Sequence, residues 1–496
     1  MSRKRDKKRK SKSGKNRTPL GGHTLVGKQL KPPFSKLEGK VALSSWANER
    51  LPEMIWAALI RVLVDQEYAI SEFKRILSFI GHHPKKELMH DLTLTGISKL
   101  DEALREELIG WIIDSQIASD ALPVLRLFNT LPAKETWHKL LPESPVHVEL
   151  LMDAAGATLS HQSQEATDCR WLRVVAQVIA GKLHIPKEMA EQWFGYPYDG
   201  DQRSVRPSIR ASEMQTNPFN PPDMTWPINF WDEAWNNTPC FILDIPKNTE
   251  SPTPLITRQT ISDAFAALEA HWEPTHTTTA IDAKHDAVFG MAFYSLRLLD
   301  EMLGIGISEG IMGRLGLRAI LETHINLRYL LSKDEEELWK KWRAYGAGQA
   351  KLNALRFDVD MDAPRHIDIE SVERIAGEDV WEEFLTINLG NWSGLDLRKI
   401  SEKVSLKPAY DKHYSWTSGY SHGTWAQIRE TCYQTCGNPL HRLHRYPERS
   451  ALPDVLYDAV ELVDEVLDDL GRTYPGFLFR LSPKEESTEQ THPADA

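Results

Sequence analysis

The sequence predicts an all-α protein: two helical domains joined by a proline- and tryptophan-rich irregular segment, with a disordered basic tail in front. Three observations carry that expectation. Apolar residues recur at helical spacing from Ser45 to about Gly195 and again across 256–480. Ten of the 29 prolines crowd into residues 197–254. The first 18 residues, MSRKRDKKRKSKSGKNRT, hold ten Lys/Arg against one Asp.

In chain order, residues 1–36 are rich in Lys, Arg, Ser, Gly and Pro and lack the apolar content to offset ordering entropy, so they are expected to be disordered. Lys/Arg runs of this kind favour RNA, DNA or a ribosomal surface through counterion release, or simply solubilise the chain. Residues 37–196 form the first helical domain. Its opening segment, LPEMIWAALIRVLV, places Pro52 in a first turn and Met54, Ile55, Ala58, Leu59 and Val62 at helical spacing. Further helices are expected near 67–80, 100–115, 119–128, 145–157 and 167–183.

Residues 197–255 change character, with Trp226, Trp231 and Trp235 among many Asn and Pro. Proline at that density excludes regular helix, and the tryptophans are expected to pack along a seam between the domains. The second helical domain spans 256–480, with helices near 260–271, 280–303, 309–332, 334–356, 370–386, 409–432 and 453–471. The polar end, 481–496, is expected to be disordered.

Bulk properties narrow the class. The 496 residues carry a net charge of −11; without the first 18, 49 basic and 69 acidic groups leave −20, which argues against a broad nucleic-acid-binding face on the body. No apolar run reaches the eighteen or so residues of a membrane-spanning helix, and no apolar stretch follows the charged start as a secretory signal requires. Four cysteines do not make a disulfide framework. The expected setting is the cytoplasm, without a membrane partner.

The most informative stretch is IMGRLGLRAILETHINLRYLL, 311–331. It is apolar almost all round, as a buried helix is, yet Arg314, Arg318 and Glu322 repeat at i, i+4, i+8 along one stripe. Charge in such a helix is costly unless paired or facing a cleft. Two readings follow: an internal Arg318–Glu322 packing pair, or an anion site in which Glu322 orients Arg318 toward phosphate. The next helix carries Arg343, Tyr345 and Lys351 as candidate substrate-binding residues, with Gly346, Ala347 and Ala350 allowing close helix approach.

Ser418 and His422, four apart, share a helical face within about 40°. Either they form a hydrogen-bonded acid–base pair there, or His422 is a satisfied core histidine near a Gly-bearing helix start. No G-x-S-x-G elbow supports a Ser-His hydrolase, and P-loop, dinucleotide-binding and HExxH signatures are absent. Cys432, Cys436, His441 and His444 are zinc-type ligands within thirteen residues, but they lack the usual C-x₂-C spacing. No cofactor is therefore expected, and zinc is expected at well under one per chain.

With these residues in view, the C-terminal half, roughly 280–435, resembles a bacterial family of helical domains of unknown function. The likeness rests on an Arg-x-x-x-Glu helix (Arg318, Glu322), an Arg/Tyr-bearing helix (Arg343, Tyr345) and a Tyr…Ser-x-x-x-His helix (Tyr414, Ser418, His422). Such domains are loosely similar to the HEPN superfamily of small helical RNases, many of them in toxin and antiphage systems. Arg318 to His324, RAILETH, fits the HEPN Arg-x(4–6)-His spacing, although Ala319 stands where that family has a polar residue. On a straight helix the two side chains lie about 120° apart, which makes His422 the better imidazole.

The resemblance implies a metal-independent endoribonuclease, a defence or toxin effector acting on RNA. Arg318, Glu322, Ser418 and His422 would be its catalytic set, with Arg318 on the scissile phosphate and His422 as general acid/base. The same residues also suit a non-catalytic phosphate- or nucleotide-sensing module, or a structural adaptor whose charges are packing pairs. An oligomer is compatible with each of these.

Overall fold

The computed structural model describes residues 22–27, 29–31, 33, 35, 45–197, 204–215, 224–243, 256–278, 281–359, 364–378, 385–449 and 451–482. The basic run 1–18 and most of the C-terminal tail lie outside them. The chain divides into two compact units. The first runs to Ile242 and takes in Cys436–His444; the second comprises Leu243–Thr435 and resumes at Arg445. Helix dominates both, as the sequence predicts. The described strands are two small antiparallel pairs, Thr24–Val26 with Gln29–Lys31 and Tyr433–Thr435 with Arg445–Pro447. The first pair lies inside the stretch expected to be a disordered tail. Its β-forming Thr24, Leu25 and Val26 turn back at Gly27, whose φ of +61° suits glycine.

The first unit is built around the helix Ile55–Leu63, buried from Ile55 through Arg61. A helix apolar on all sides must be wrapped by others. Here Gln66–His82, Val148–Thr158 and Gln164–Ile179 pack against it. Charge enters this core only in company. Arg61 Nε donates to Asp168 Oδ2 at 2.6 Å, and Tyr196 donates to the other oxygen at 2.5 Å. Glu213, fully buried, lies 3.2 Å from Arg50, 3.5 Å from Arg170 and 2.7 Å from Arg173.

The proline-rich stretch corrects the sequence reading. Helices Val205–Gln215 and Thr225–Asn237 form there because Pro207 and Pro227 each fall at the third helical position, where a backbone N–H has no intrahelical partner to lose. All three tryptophans belong to the first unit. Trp226 is buried and donates to Pro52 O at 3.0 Å, and Trp231 donates to Asn48 O at 3.3 Å.

The second unit packs Arg258–Thr275, Ala283–Met302, Ile311–Lys333, Glu336–Val359 and Leu456–Thr473 around one apolar core. The helix Ile311–Lys333 is central, touching Ala283–Met302, Leu456–Thr473, Leu397–Lys403 and Ser415–Ser421. The helix expected over 409–432 is broken. It consists of a wide turn at Tyr410–Tyr414, a helix Ser415–Ser421 and a helix Trp425–Cys432. Gly423, at φ +56°, turns the chain between the two helices. Gly419 lets them meet, since a Cβ there would fall 2.3 Å from Gln427 Oε1.

Among the described residues, no single helix is long and apolar enough to cross a membrane. One bent pair, Glu102–Ile113 with Gln116–Leu127, passes by length and composition, but its Leu108, Ile109, Ile112 and Leu122 lie in the first unit's core.

Candidate functional site

Arg318 sits in the N-terminal half of the central helix of the second unit, where the guanidinium reaches past the apolar stripe to the Ser415–Ser421 helix. Its Nε donates to Glu322 Oε1 at 2.7 Å, the expected i, i+4 pair. Its Nη2 donates to the Tyr414 hydroxyl at 2.8 Å, and its Nη1 points at Ser418 Oγ, 3.5 Å away, and bonds Ser421 Oγ. The guanidinium also lies over the Tyr414 ring, 4.6 Å from its centroid, and that ring is stacked on Tyr410 at 4.6 Å. One cation thus gathers a carboxylate and three hydroxyls from residues about a hundred positions apart in sequence.

The cluster is partly open. The Arg318 and Glu322 side chains are 19% and 37% exposed, and Ser421 and His422 are exposed. Partial burial alone would lower the pKa of Arg318. The bond to Glu322 and the neighbouring Tyr414 outweigh that and hold it above the ordinary arginine value. The serine and tyrosine oxygens accept from Arg318. The Ser421 hydroxyl is itself spent on Ser418 O at 2.9 Å. The edge formed by Nη1, Nη2 and the hydroxyls of Tyr414 and Ser418 has the donors a phosphate group takes.

The other predicted residues divide. Ser418 joins the cluster. His422 follows the last residue of that helix, Ser421, and no hydrogen bond joins its ring to Ser418 among the described residues. His422 caps that end at φ −104°, ψ 0°, its backbone N–H donating to Ser418 O at 3.3 Å. Its ring is exposed and makes no side-chain hydrogen bond among the described residues, so the packed-core reading does not apply.

Arg314 is 5% exposed and tied to backbone. It donates to Ser308 O at 2.9 Å, to Gly310 O at 3.3 Å and to Pro453 O, with the Tyr420 ring 5.9 Å away. These carbonyls make it a packing residue, not a substrate contact. Arg343 pairs with Asp286 and, at 3.1 Å, with Glu378, and Tyr345 packs against the core. Lys351 donates to Leu385 O at 3.1 Å. None of these three touches the Arg318 cluster among the described residues. The close approach expected at Gly346 occurs two residues on, where a Cβ on Gly348 would meet Thr386 O at 3.0 Å.

His324 points elsewhere, as the 120° separation requires. It is buried, with Nε2 3.4 Å from Asp469 Oδ2 on the Leu456–Thr473 helix, beside Arg328. Arg318 and His324 of one chain therefore do not form an Arg–His pair.

Two members of the cluster were absent from the predicted set. Ser421 carries a readable signal, the S-x-x-S spacing with Ser418, which would place both on one face. Tyr414 had a motif position but no assigned role, and only tertiary packing reveals its bond to Arg318.

Residues 300–434 match a family described as "Family of unknown function (DUF5677)". Arg318, Glu322, Tyr414, Ser418, Ser421 and His422 all lie inside that match. Comparison with curated proteins and with solved structures gives no match.

Proposed function

We propose that the second unit recognises a phosphate ester of RNA or of a nucleotide, with Arg318 as its anchor. The observation that carries this reading is the convergence of Tyr414, Ser418 and Ser421 on a guanidinium whose remaining edge Glu322 fixes in place. An arginine oriented by a carboxylate presents its N–H fork as a preformed bidentate donor, which suits phosphate geometry. The acidic body favours a short ligand held by specific bonds over a long strand held by charge.

A second reading makes the site a metal-independent endoribonuclease of the HEPN-like kind, a defence or toxin effector. What favours it is His422, an exposed imidazole one residue beyond Ser421. A histidine ring placed there can take a proton from a ribose 2′-hydroxyl or give one to the leaving oxygen. Arg318 would then hold the scissile phosphate.

One experiment addresses both. A labelled RNA oligonucleotide and a mononucleotide are titrated onto the full chain in EDTA, and the RNA is followed for cleavage. Saturable binding that Arg318→Ala abolishes and His422→Ala keeps is the result expected. Cleavage in EDTA that falls about 10²–10⁴-fold in His422→Ala would establish the second reading. Wild-type protein that binds neither probe would overturn both.

A further inference from the structure

The first unit contains a separate group of metal-type ligands. Cys240 and Phe241 follow the end of the Thr225–Asn237 helix, and Cys436–His444 is the stretch with which the chain returns to this unit. One ligand atom from each of Cys240, Cys436, His441 and His444 lies within 4.8 Å of the others. Cys240 Sγ is 3.3 Å from His441 Nδ1 and 3.8 Å from His444 Nδ1, and Cys436 Sγ is 3.5 Å from His441 Nδ1. Bonds of about 2.3 Å to sulfur and about 2.0–2.1 Å to nitrogen, set at tetrahedral angles, put S and N roughly 3.5 Å apart.

We propose that Cys240, Cys436, His441 and His444 bind a structural zinc ion. Two thiolates and two imidazoles in a tetrahedron are the donor set that selects zinc among divalent ions. The two thiolates neutralise the dication, so a half-buried site takes no net charge.

The surroundings orient the donors. His441 Nε2 lies 3.0 Å from Thr238 Oγ1 and 3.2 Å from Thr238 O, so its proton goes to Thr238 and Nδ1 keeps a lone pair facing the sulfurs. Cys436 Sγ accepts backbone N–H groups from Phe241 and Asn438, both at 3.4 Å, which stabilises a thiolate. Asn438, fully buried, ties the two segments together through Thr238 Oγ1 at 2.9 Å and Pro239 O at 2.8 Å. Trp235 covers both imidazoles, its ring 4.4 Å from His441 and 4.5 Å from His444. Four protein ligands leave no open coordination position, so the metal fastens 436–444 to 238–241 and does no chemistry.

This set departs from the one the sequence suggests. Cys432 is exposed, its Sγ 3.4 Å from the Thr431 hydroxyl, and belongs to the second unit. Cys240, nearly two hundred positions away, takes its place, and the expectation of well under one zinc per chain reverses.

The test uses the full chain, purified without an affinity histidine tag and without chelator. Elemental analysis should find about one zinc per chain in wild type and in Cys432→Ser, and almost none in Cys240→Ser/Cys436→Ser. Cobalt added to chelator-treated wild type should give the visible bands of a tetrahedral thiolate site, which reads the site even if the double variant folds poorly. Chelation should lower the thermal midpoint, because a metal bound only to the folded state stabilises it. Wild type that carries no zinc and takes up no cobalt overturns the proposal. So does a Cys240–Cys436 disulfide in the non-reduced protein, or metal lost in Cys432→Ser but kept in the double variant.

Discussion

Arg318→Ala separates binding from folding, and the structure sets how much stability it costs. The ion pair with Glu322 is an i, i+4 pair with side chains 19% and 37% exposed, which contributes about 0.3–0.5 kcal/mol. Loss of the cation over the Tyr414 ring removes about 0.5–1 kcal/mol, and loss of the bond to its hydroxyl about 0.5–1.5 kcal/mol. Ser421 is exposed and re-bonds to water. Glu322, more than a third exposed, is not left as a buried unpaired charge, so the roughly 3–5 kcal/mol cost of breaking a buried pair does not apply. The total is about 2 kcal/mol. In a unit of this size each kcal/mol moves the midpoint by about 2–4 °C, so a fall of roughly 4–8 °C is expected with the fold intact. Thermal unfolding by circular dichroism gives the midpoint, and titration with the RNA and mononucleotide probes below that temperature gives affinity. A fall beyond about 15 °C, or a well-folded variant that binds as wild type does, would refute the assignment of Arg318 as a partly open anion anchor.

Three further outcomes follow from the same geometry. Arg314→Ala removes the charged donor of a 5% exposed guanidinium, at about 1.5–3 kcal/mol per bond, and leaves Pro453 O without that donor while Ser308 O keeps the Val455 N–H at 3.3 Å, so urea unfolding should show a larger loss than Arg318→Ala. Glu213→Gln leaves three buried guanidiniums without their shared carboxylate and should cost about 3–5 kcal/mol by the same assay, with a loss under 1 kcal/mol arguing against the cluster. Burial pushes the Glu53 carboxyl up to about 7, against the bonds it accepts from Thr95. A raised carboxyl stabilises the fold below its unfolded pKa and loses that contribution as pH climbs through the folded one. The stability of wild type relative to Glu53→Gln should therefore fall between about pH 4.5 and 7 and stay level above.

How much of this was legible in one dimension depends on how local the cause is. The helices Gln66–His82, Ala283–Met302 and Leu456–Thr473 were readable because their apolar period is a local property that tertiary packing reinforces. The Arg318–Glu322 pair was readable for the same reason. The proline-rich stretch misled, because proline counts ignore position: Pro207 and Pro227 fall where a helix tolerates them. Ser418 and His422 misled differently. Helical spacing does not make a bonded pair: His422 is the cap residue ahead of the turn at Gly423 with its ring exposed, while Ser418 lies against Arg318. Cys240 was beyond reach, since nothing local links it to a segment nearly two hundred residues on.

The boundary of the family match sharpens the distinction between the two candidate sites. Residues 300–434 enclose every member of the Arg318 cluster and none of the four proposed zinc ligands. The match ends two residues before Cys436, where the chain passes into the first unit. The Arg318 cluster is therefore built wholly from the matched region's own elements. It needs only the central helix, the turn that supplies Tyr414 and the short helix that supplies Ser418 and Ser421. The metal set requires an additional element, the Cys240 segment that follows the Thr225–Asn237 helix, together with a loop extending beyond the match. A chain that shares the 300–434 region but lacks cysteines equivalent to Cys240 and Cys436 should then bind the phosphate probe and contain no zinc. A chain of that kind that needed zinc to bind the probe would break the separation argued here.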